Sequence, residues 1–144
     1  MTARAMTEDD RAACMRVRHV VFVEEQGVPV EEELDEHDAT CEHFAAAGDD
    51  GEIVGTCRLL RPGPGDARIG RMAVLAAHRG LGYAAELLAV AEAAAAAGGA
   101  RRITLDAQLT AQGFYERGGY TAHGEMFIDA GIEHIAMTKE LGDR

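Results

Sequence analysis

The chain has 144 residues, enough for one ordinary domain with a substantial core and too few for two. Its formal net charge of -11 argues against nucleic acid as the main partner, because that affinity is mostly phosphate neutralisation by Lys and Arg, and favours cations or amines instead. Ser, Asn and Trp are absent and Lys139 is the only lysine, which excludes a serine nucleophile and a GxxxxGK[ST] loop and leaves Schiff-base chemistry to Lys139 alone.

In chain order, a short strand at Thr2 to Ala5 precedes Thr7 and Asp10, whose spacing suits a capping box, and apolar positions continue toward Phe22 as a first helix. Glu24 to Asp38 (EEQGVPVEEELDEHD) carries Gly27 and Pro29 and predicts an acidic loop with at most one helical turn. His43 to Ala47 and Glu52 to Leu60 flank Asp49-Asp50-Gly51 as a β-hairpin. The turn Arg61 to Asp66 leads to a strand at Ala67 to Val74. An alanine-rich helix follows at Leu81 to Ala97, ended by Gly98-Gly99. A strand at Arg102 to Ala107, a helix at Thr110 to Arg117, and strands near Tyr120 to Ile128 and Glu133 to Lys139 complete the order. The class is α/β (α+β), a mixed sheet with helices on its faces.

No apolar run reaches the roughly 18 residues of a membrane-spanning helix, and the N-terminus lacks a basic-then-apolar signal pattern. No membrane association and a cytoplasmic location are therefore expected. Cys14, Cys41 and Cys57 follow no disulfide-framework spacing and are expected as free thiols. His37, Cys41 and His43 form an H-x-x-x-C-x-H cluster without a fourth ligand of matching spacing, so no metal is expected.

The most informative stretch is His78 to Leu88, HRGLGYAAELL, which sets Gly80 and Gly82 at the start of the alanine-rich helix. Helix starts carry unpaired N–H groups and the positive end of the macrodipole, so an anion can sit on the main chain there. Gly80 to Ala85 also fits the dinucleotide pattern G-x-G-x-x-A. Its context disagrees: Leu75 to Arg79 intervene after the strand, and roughly 20 positions on, where an acidic residue should end the next strand, stand Gly98 to Arg102.

Read from the arginine, Arg79-x-x-Gly82-x-Ala84 after the strand ending Met72-Ala73-Val74 resembles the acetyl-coenzyme A signature of the GCN5-related N-acetyltransferases (GNAT), R/Q-x-x-G-x-G/A. Ala111 to Tyr120 (AQGFYERGGY) resembles that family's downstream A-x-x-FY-x-x-x-GF/Y element. In the N-terminal part, Arg18, Val21-Phe22, Glu25 to Pro29, Asp35 to Asp38 and His43 resemble the ElaA-like branch, as does Gly131 to Met137, although Glu133 stands where proline is expected. Acyl-homoserine-lactone synthases share Arg18, Phe22, Asp35, Asp38 and Arg58 in comparable order, but usually carry a tryptophan that this chain lacks. They and a non-catalytic coenzyme A sensor are the alternatives.

The resemblance implies a mostly antiparallel central sheet and acetyl transfer from acetyl-CoA to a primary amine of a small molecule or peptide, with a homodimer allowed. Acetyl-CoA would be held by Met72, Ala73 and Val74, where a strand bulge frees a donor, by Arg79, Gly80, Leu81, Gly82, Tyr83 and Ala84, and by Gln108 and Phe114. Tyr115 is implied as the general acid. A base is to be sought among Glu25, Asp35, Glu125, Asp129 and His134, of which His134 titrates nearest neutrality. Arg18, Arg58 and Arg71, with Glu25, Gln26 and Asp35, are candidates for organising the front loop or contacting the acceptor, since Arg pairs carboxylates bidentately.

Overall fold

The computed structural model describes residues 2–142. Seven strands form one sheet in the order β1-β2-β3-β4-β5-β7-β6. They are β1 (Thr2–Ala5), β2 (Glu42–Ala47), β3 (Ile53–Gly63), β4 (Asp66–Val74), β5 (Arg102–Gln108), β6 (Thr121–Asp129) and β7 (Ile132–Glu140). Every neighbouring pair is antiparallel except β4 with β5.

Alternation along the strands sends side chains to two separate cores. Phe44, Ala46, Val54 and Val74 pack with Leu87, Leu88 and Ala91 of α3 (Tyr83–Ala97) on one face. Their neighbours Ala45, Ile53 and Ala73 pack on the other face with Cys14 and Val17 of α1 (Arg11–Arg18). Gly55 marks the tightest approach of α3 to the sheet, since a Cβ there would lie 3.1 Å from Leu87 Cδ1 and 3.3 Å from the Ala73 carbonyl.

Several local expectations need adjustment. The Asp10 carboxylate does accept from the Thr7 N–H and hydroxyl, at 2.9 and 3.0 Å. The helix that follows does not stop near Phe22, however. It widens into a π-helical turn over His19–Glu25, in which Gln26 N–H reaches back five residues to the Val21 carbonyl. Such widening redirects side chains and recurs at functional sites. β3 runs through the expected Arg61 to Asp66 turn as far as Gly63, which pairs with Asp66, so the reversal is confined to Pro64-Gly65. The C-terminal hairpin turns at Ala130 (φ 51) and Gly131 (φ 77), a two-residue loop with both residues left-handed. Glu133 lies beyond it, paired with Ile128, where a strand residue has no need of proline.

Glu24 to Asp38 holds one turn of helix, α2 (Val30–Glu33), and a 3-10 turn at Glu36–Ala39. It is not a solvated linker, because Glu33 is buried.

Candidate active site

β4 and β5 pair only at Asp66 with Arg102, Ala67 with Ile103 and Arg68 with Thr104. Beyond that point β4 stays with β3 as far as Val74, and β5 stays with β7 as far as Gln108, opposite His134. The two strands diverge, and a cleft of about 1080 Å³ opens between their ends. One edge of β4 past Arg68 has no ladder partner among the described residues, which leaves main-chain groups free to pair with an extended, amide-bearing ligand.

In the same stretch, Arg71 and Met72 together face Cys57, because the register steps from Thr56–Ala73 to Arg58–Gly70. This is a β-bulge, and Arg71 occupies it at φ 52, a conformation that costs a non-glycine residue about 1 kcal/mol or more.

The loop after β4 ends at Gly82 (φ 99), which caps α3 without a side-chain hydrogen bond. The first turn's bond runs from Glu86 N–H to the Gly82 carbonyl, so the N–H groups of Tyr83, Ala84 and Ala85 have no partner within the helix. Gly80 and Gly82 are both left-handed and line the cleft with Tyr83 and Ala84. The Arg79 guanidinium braces the loop, donating to the Val74 carbonyl at 2.9 Å and to Glu25 at 2.6 and 2.7 Å. This arrangement suits an anion: unpaired amides and the positive end of the helix dipole converge on one mouth.

At the other end of the cleft lies a charge network. Arg18 donates to Glu33 at 2.8 Å and to Asp38 at 2.7 and 3.1 Å. Arg58 donates to Asp35 at 2.7 and 2.8 Å and to Asp38 at 2.9 Å. Arg71 reaches from the bulge to the Glu33 carboxylate at 3.1 Å and to Asp35 at 3.4 Å. Three guanidinium groups thus meet three carboxylates. The Arg58 hydrogen bonds hold Asp35 below the usual carboxylate range. Against the desolvation of burial, Arg18 and Arg58 hold Asp38 far below it.

Two further links cross the opening. Gln108 at the end of β5 donates to Gln26 at the end of the π-helical turn (3.0 Å). Ala130 and Ile132 of the hairpin pack against the cluster that holds Phe22 and Val28. His134 lines the cleft beneath them, stacked on Phe127 at 5.8 Å, with Nδ1 2.7 Å from the Ile132 carbonyl. A carbonyl can only accept, so Nδ1 carries a proton, and in the neutral ring the lone pair is on Nε2. Tyr115, on α4 (Gln112–Arg117), is buried edge-on between Phe114 (5.0 Å) and Tyr120 (5.8 Å) and also lines the cleft. Burial, with the Cys57 thiol nearby, pushes its phenol well above the ordinary value, so it is protonated at neutral pH.

Residues 16–141 match the family model for the acetyltransferase (GNAT) domain. The chain belongs to the GNAT acetyltransferase family. It is 39% identical over 137 residues to the N-acetyltransferase YjcF of Bacillus subtilis, covering 94% of this chain and 96% of that one. An acyl-CoA N-acyltransferase from Pseudomonas aeruginosa superposes with a TM-score of 0.81 at 32% identity, over 96% of this chain and 97% of the other. Escherichia coli ElaA superposes with a TM-score of 0.83 at 26% identity, over 96% and 99% of the two chains.

Within this GNAT fold, Met72, Val74, Arg79, Gly80, Gly82, Tyr83, Ala84, Gln108, Phe114, Tyr115 and His134 all border the cleft, as do Gln26, Asp35, Arg58 and Arg71. Five of the expected residues do not, among them the base candidate Glu125, which is exposed on β6 away from the cleft lining. Ala73 turns its side chain into the core beneath α1, so only its main chain is available. Leu81 points to solvent at 55% exposure. Arg18, at 1% exposure, is enclosed by Glu33 and Asp38 and organises the front loop without reaching an acceptor. Glu25 is bound to Arg79, whose hydrogen bonds lower its pKa, which disqualifies it as a base.

Pairing disqualifies Asp35 in the same way. Cys41 Sγ lies 3.5 Å from His43 Nε2, and the third member of that cluster is Asp38, not His37. The Asp38 carboxylate already serves Arg18 and Arg58. Sequence reasoning missed Glu33, which looks like any other member of the run Glu31-Glu32-Glu33, and the Gln26–Gln108 contact, whose partners lie 82 residues apart.

Proposed function

We propose that the chain transfers an acetyl group from acetyl-CoA to a primary amine, in a cytoplasmic setting that its unpaired cysteines suit. The observation that carries this reading is the convergence of the open β4 edge and the unpaired amides of α3 on one cleft that also holds Tyr115 and His134. The donor class is further supported by the name of the acyl-CoA N-acyltransferase from Pseudomonas aeruginosa, over nearly the whole chain.

In this reading the pyrophosphate rests on the first turn of α3 and the amide-bearing arm lies along β4. His134 Nε2 takes a proton from the incoming ammonium group. The neutral amine attacks the thioester carbonyl, whose developing charge faces main-chain donors at the β4 bulge. As the C–S bond breaks, the Tyr115 hydroxyl gives its proton to the leaving thiolate, and the second proton shed by the new amide nitrogen restores the phenol. The desolvation that raises this phenol acts in the same direction on a thiolate expelled beside it, so the transfer is better matched than ordinary values suggest.

The test is thiol release from acetyl-CoA in the presence of primary amines, with the acetylated product identified by mass. Coenzyme A release with a matching gain of one acetyl group on the amine is expected. Tight acetyl-CoA binding without transfer to any amine would instead indicate a coenzyme A sensor.

A further inference from the structure

Resting on that reading of the cleft, the charges along its walls narrow the acceptor. Four arginines border it, Arg58, Arg68, Arg71 and Arg79, and each is matched. Arg58 and Arg71, with Arg18 behind them, are balanced by Glu33, Asp35 and Asp38. Arg79 is balanced by Glu25, and Arg68 by Asp106. A carboxylate on the acceptor would have to displace one of these partners. For the inner network that means stranding a buried acid, which is strongly unfavourable.

Two charged groups on the cleft wall are left over, and both are negative. Glu32, on α2, and Asp129, at the end of β6, border the cleft and form no ion pair among the described residues. They belong to two segments that border the cleft, the front loop and the C-terminal hairpin, and His134 is on β7 of that hairpin, paired with Gln108 and Phe127. The first is positioned by Arg71, which donates to the Glu32 carbonyl at 3.3 Å. The second precedes the Ala130-Gly131 turn that packs toward Phe22.

We infer that the acceptor is a small dication: a primary amine with a second ammonium group a few bonds away, and no carboxylate. The distal ammonium stays charged and is held by Glu32 and Asp129, while the proximal one loses its proton to His134 and attacks. The same two carboxylates repel an acceptor that carries its own.

The experiment compares kcat/KM for 1,4-diaminobutane, butylamine and 4-aminobutanoate, which share the reacting group and differ only at the far end. The diamine is expected to exceed butylamine by about 10-fold, the scale for two solvent-screened ion pairs, and 4-aminobutanoate to fall below both. The diamine preference should shrink as salt is raised. In the double variant Glu32→Gln, Asp129→Asn, the diamine-to-butylamine ratio should fall to within about 2-fold. Both residues are exposed, so the fold is not at risk, and its melting temperature verifies this.

Transfer that favours 4-aminobutanoate, or that ignores the far end, overturns the inference and leaves acetyl transfer intact. A diamine preference that survives in the double variant also overturns it. Transfer to none of the three by a protein that binds acetyl-CoA overturns the inference and leaves amine acetylation to the wider amine screen, whereas failure to bind acetyl-CoA removes the donor assignment first.

Discussion

Replacing Glu33 with Gln tests whether the front wall of the cleft is held by charge. The substitution preserves shape and leaves one carbonyl to accept a hydrogen bond, but it removes the negative charge that Arg18 (2.8 Å) and Arg71 (3.1 Å) share. Arg18 is 1% exposed and Glu33 3%, so water does not screen the loss. Removing one partner of a buried pair typically costs about 3–5 kcal/mol. The lower end, about 3 kcal/mol, applies here because Arg18 keeps Asp38, while Arg71 keeps the Glu33 carbonyl and its contact with Asp35. For a chain of this length, an unfolding entropy of about 0.3 kcal/mol/K converts that cost into a fall in melting temperature of about 10 °C. The assay is thermal unfolding at pH 7, followed by circular dichroism, beside Glu32→Gln. That neighbouring residue is exposed and outside any ion pair, so its substitution should stay within about 0.5 kcal/mol of wild type. Glu33→Gln melting within about 2 °C of wild type would refute the view that this network holds the wall.

Gly82→Asp should lower acetyl-CoA affinity at least about 100-fold by calorimetry, because φ 99 is costly for any side chain and the new charge meets the pyrophosphate; unchanged affinity in the folded variant would remove the loop from the donor site. Tyr115→Phe keeps the ring against Phe114 and Tyr120, so acetyl-CoA affinity and melting temperature should hold while kcat falls about 100-fold or more, and unaltered turnover would reduce Tyr115 to packing. His134→Gln should cost about 100-fold in kcat/KM near neutrality while acetyl-CoA affinity holds, whereas unchanged turnover would point to another base. Asp10, Asp35 and Asp38 titrate below their unfolded value near 3.9, Asp10 at about 2, so the stability they contribute is complete above that value and is lost as pH falls toward their folded values. The melting temperature should therefore change little through these groups between about pH 7 and 5 and drop below about pH 4; a melting temperature held constant to pH 3 would contradict it.

The glycine-loop end of the cleft was legible because it is written in local residues. An anion site at a helix start needs glycines at particular positions and a nearby cation. Gly80, Gly82 and Arg79 lie within four residues of one another, so their spacing alone suggested the geometry. The order of the elements along the chain was legible for a similar reason: Asp49-Asp50-Gly51 and Gly98-Gly99 carry backbone demands that are local. The π-helical widening after Arg18 was not, since nothing in HVVFVEE separates a π turn from an α turn until tertiary packing selects it.

The charge-network end of the cleft is written in distances that the sequence does not contain. Of the three consecutive glutamates Glu31, Glu32 and Glu33, the third is buried against two arginines and the second faces the cleft. Their side chains are chemically identical, and only the direction each takes from one turn of helix distinguishes them. The same holds for Arg58 and Arg71, candidates for contacting an acceptor. A guanidinium is available to a ligand only when the protein's own carboxylates have not claimed it, and here Asp35, Asp38 and Glu33 have. Arginine as a residue type left two roles open, organising the front loop or contacting an acceptor carboxylate, whereas pairing the arginines leaves Glu32 and Asp129 as the unpaired charges on the cleft wall. The sign of the site is thus set by which ion pairs the fold completes, and composition reports only their sum.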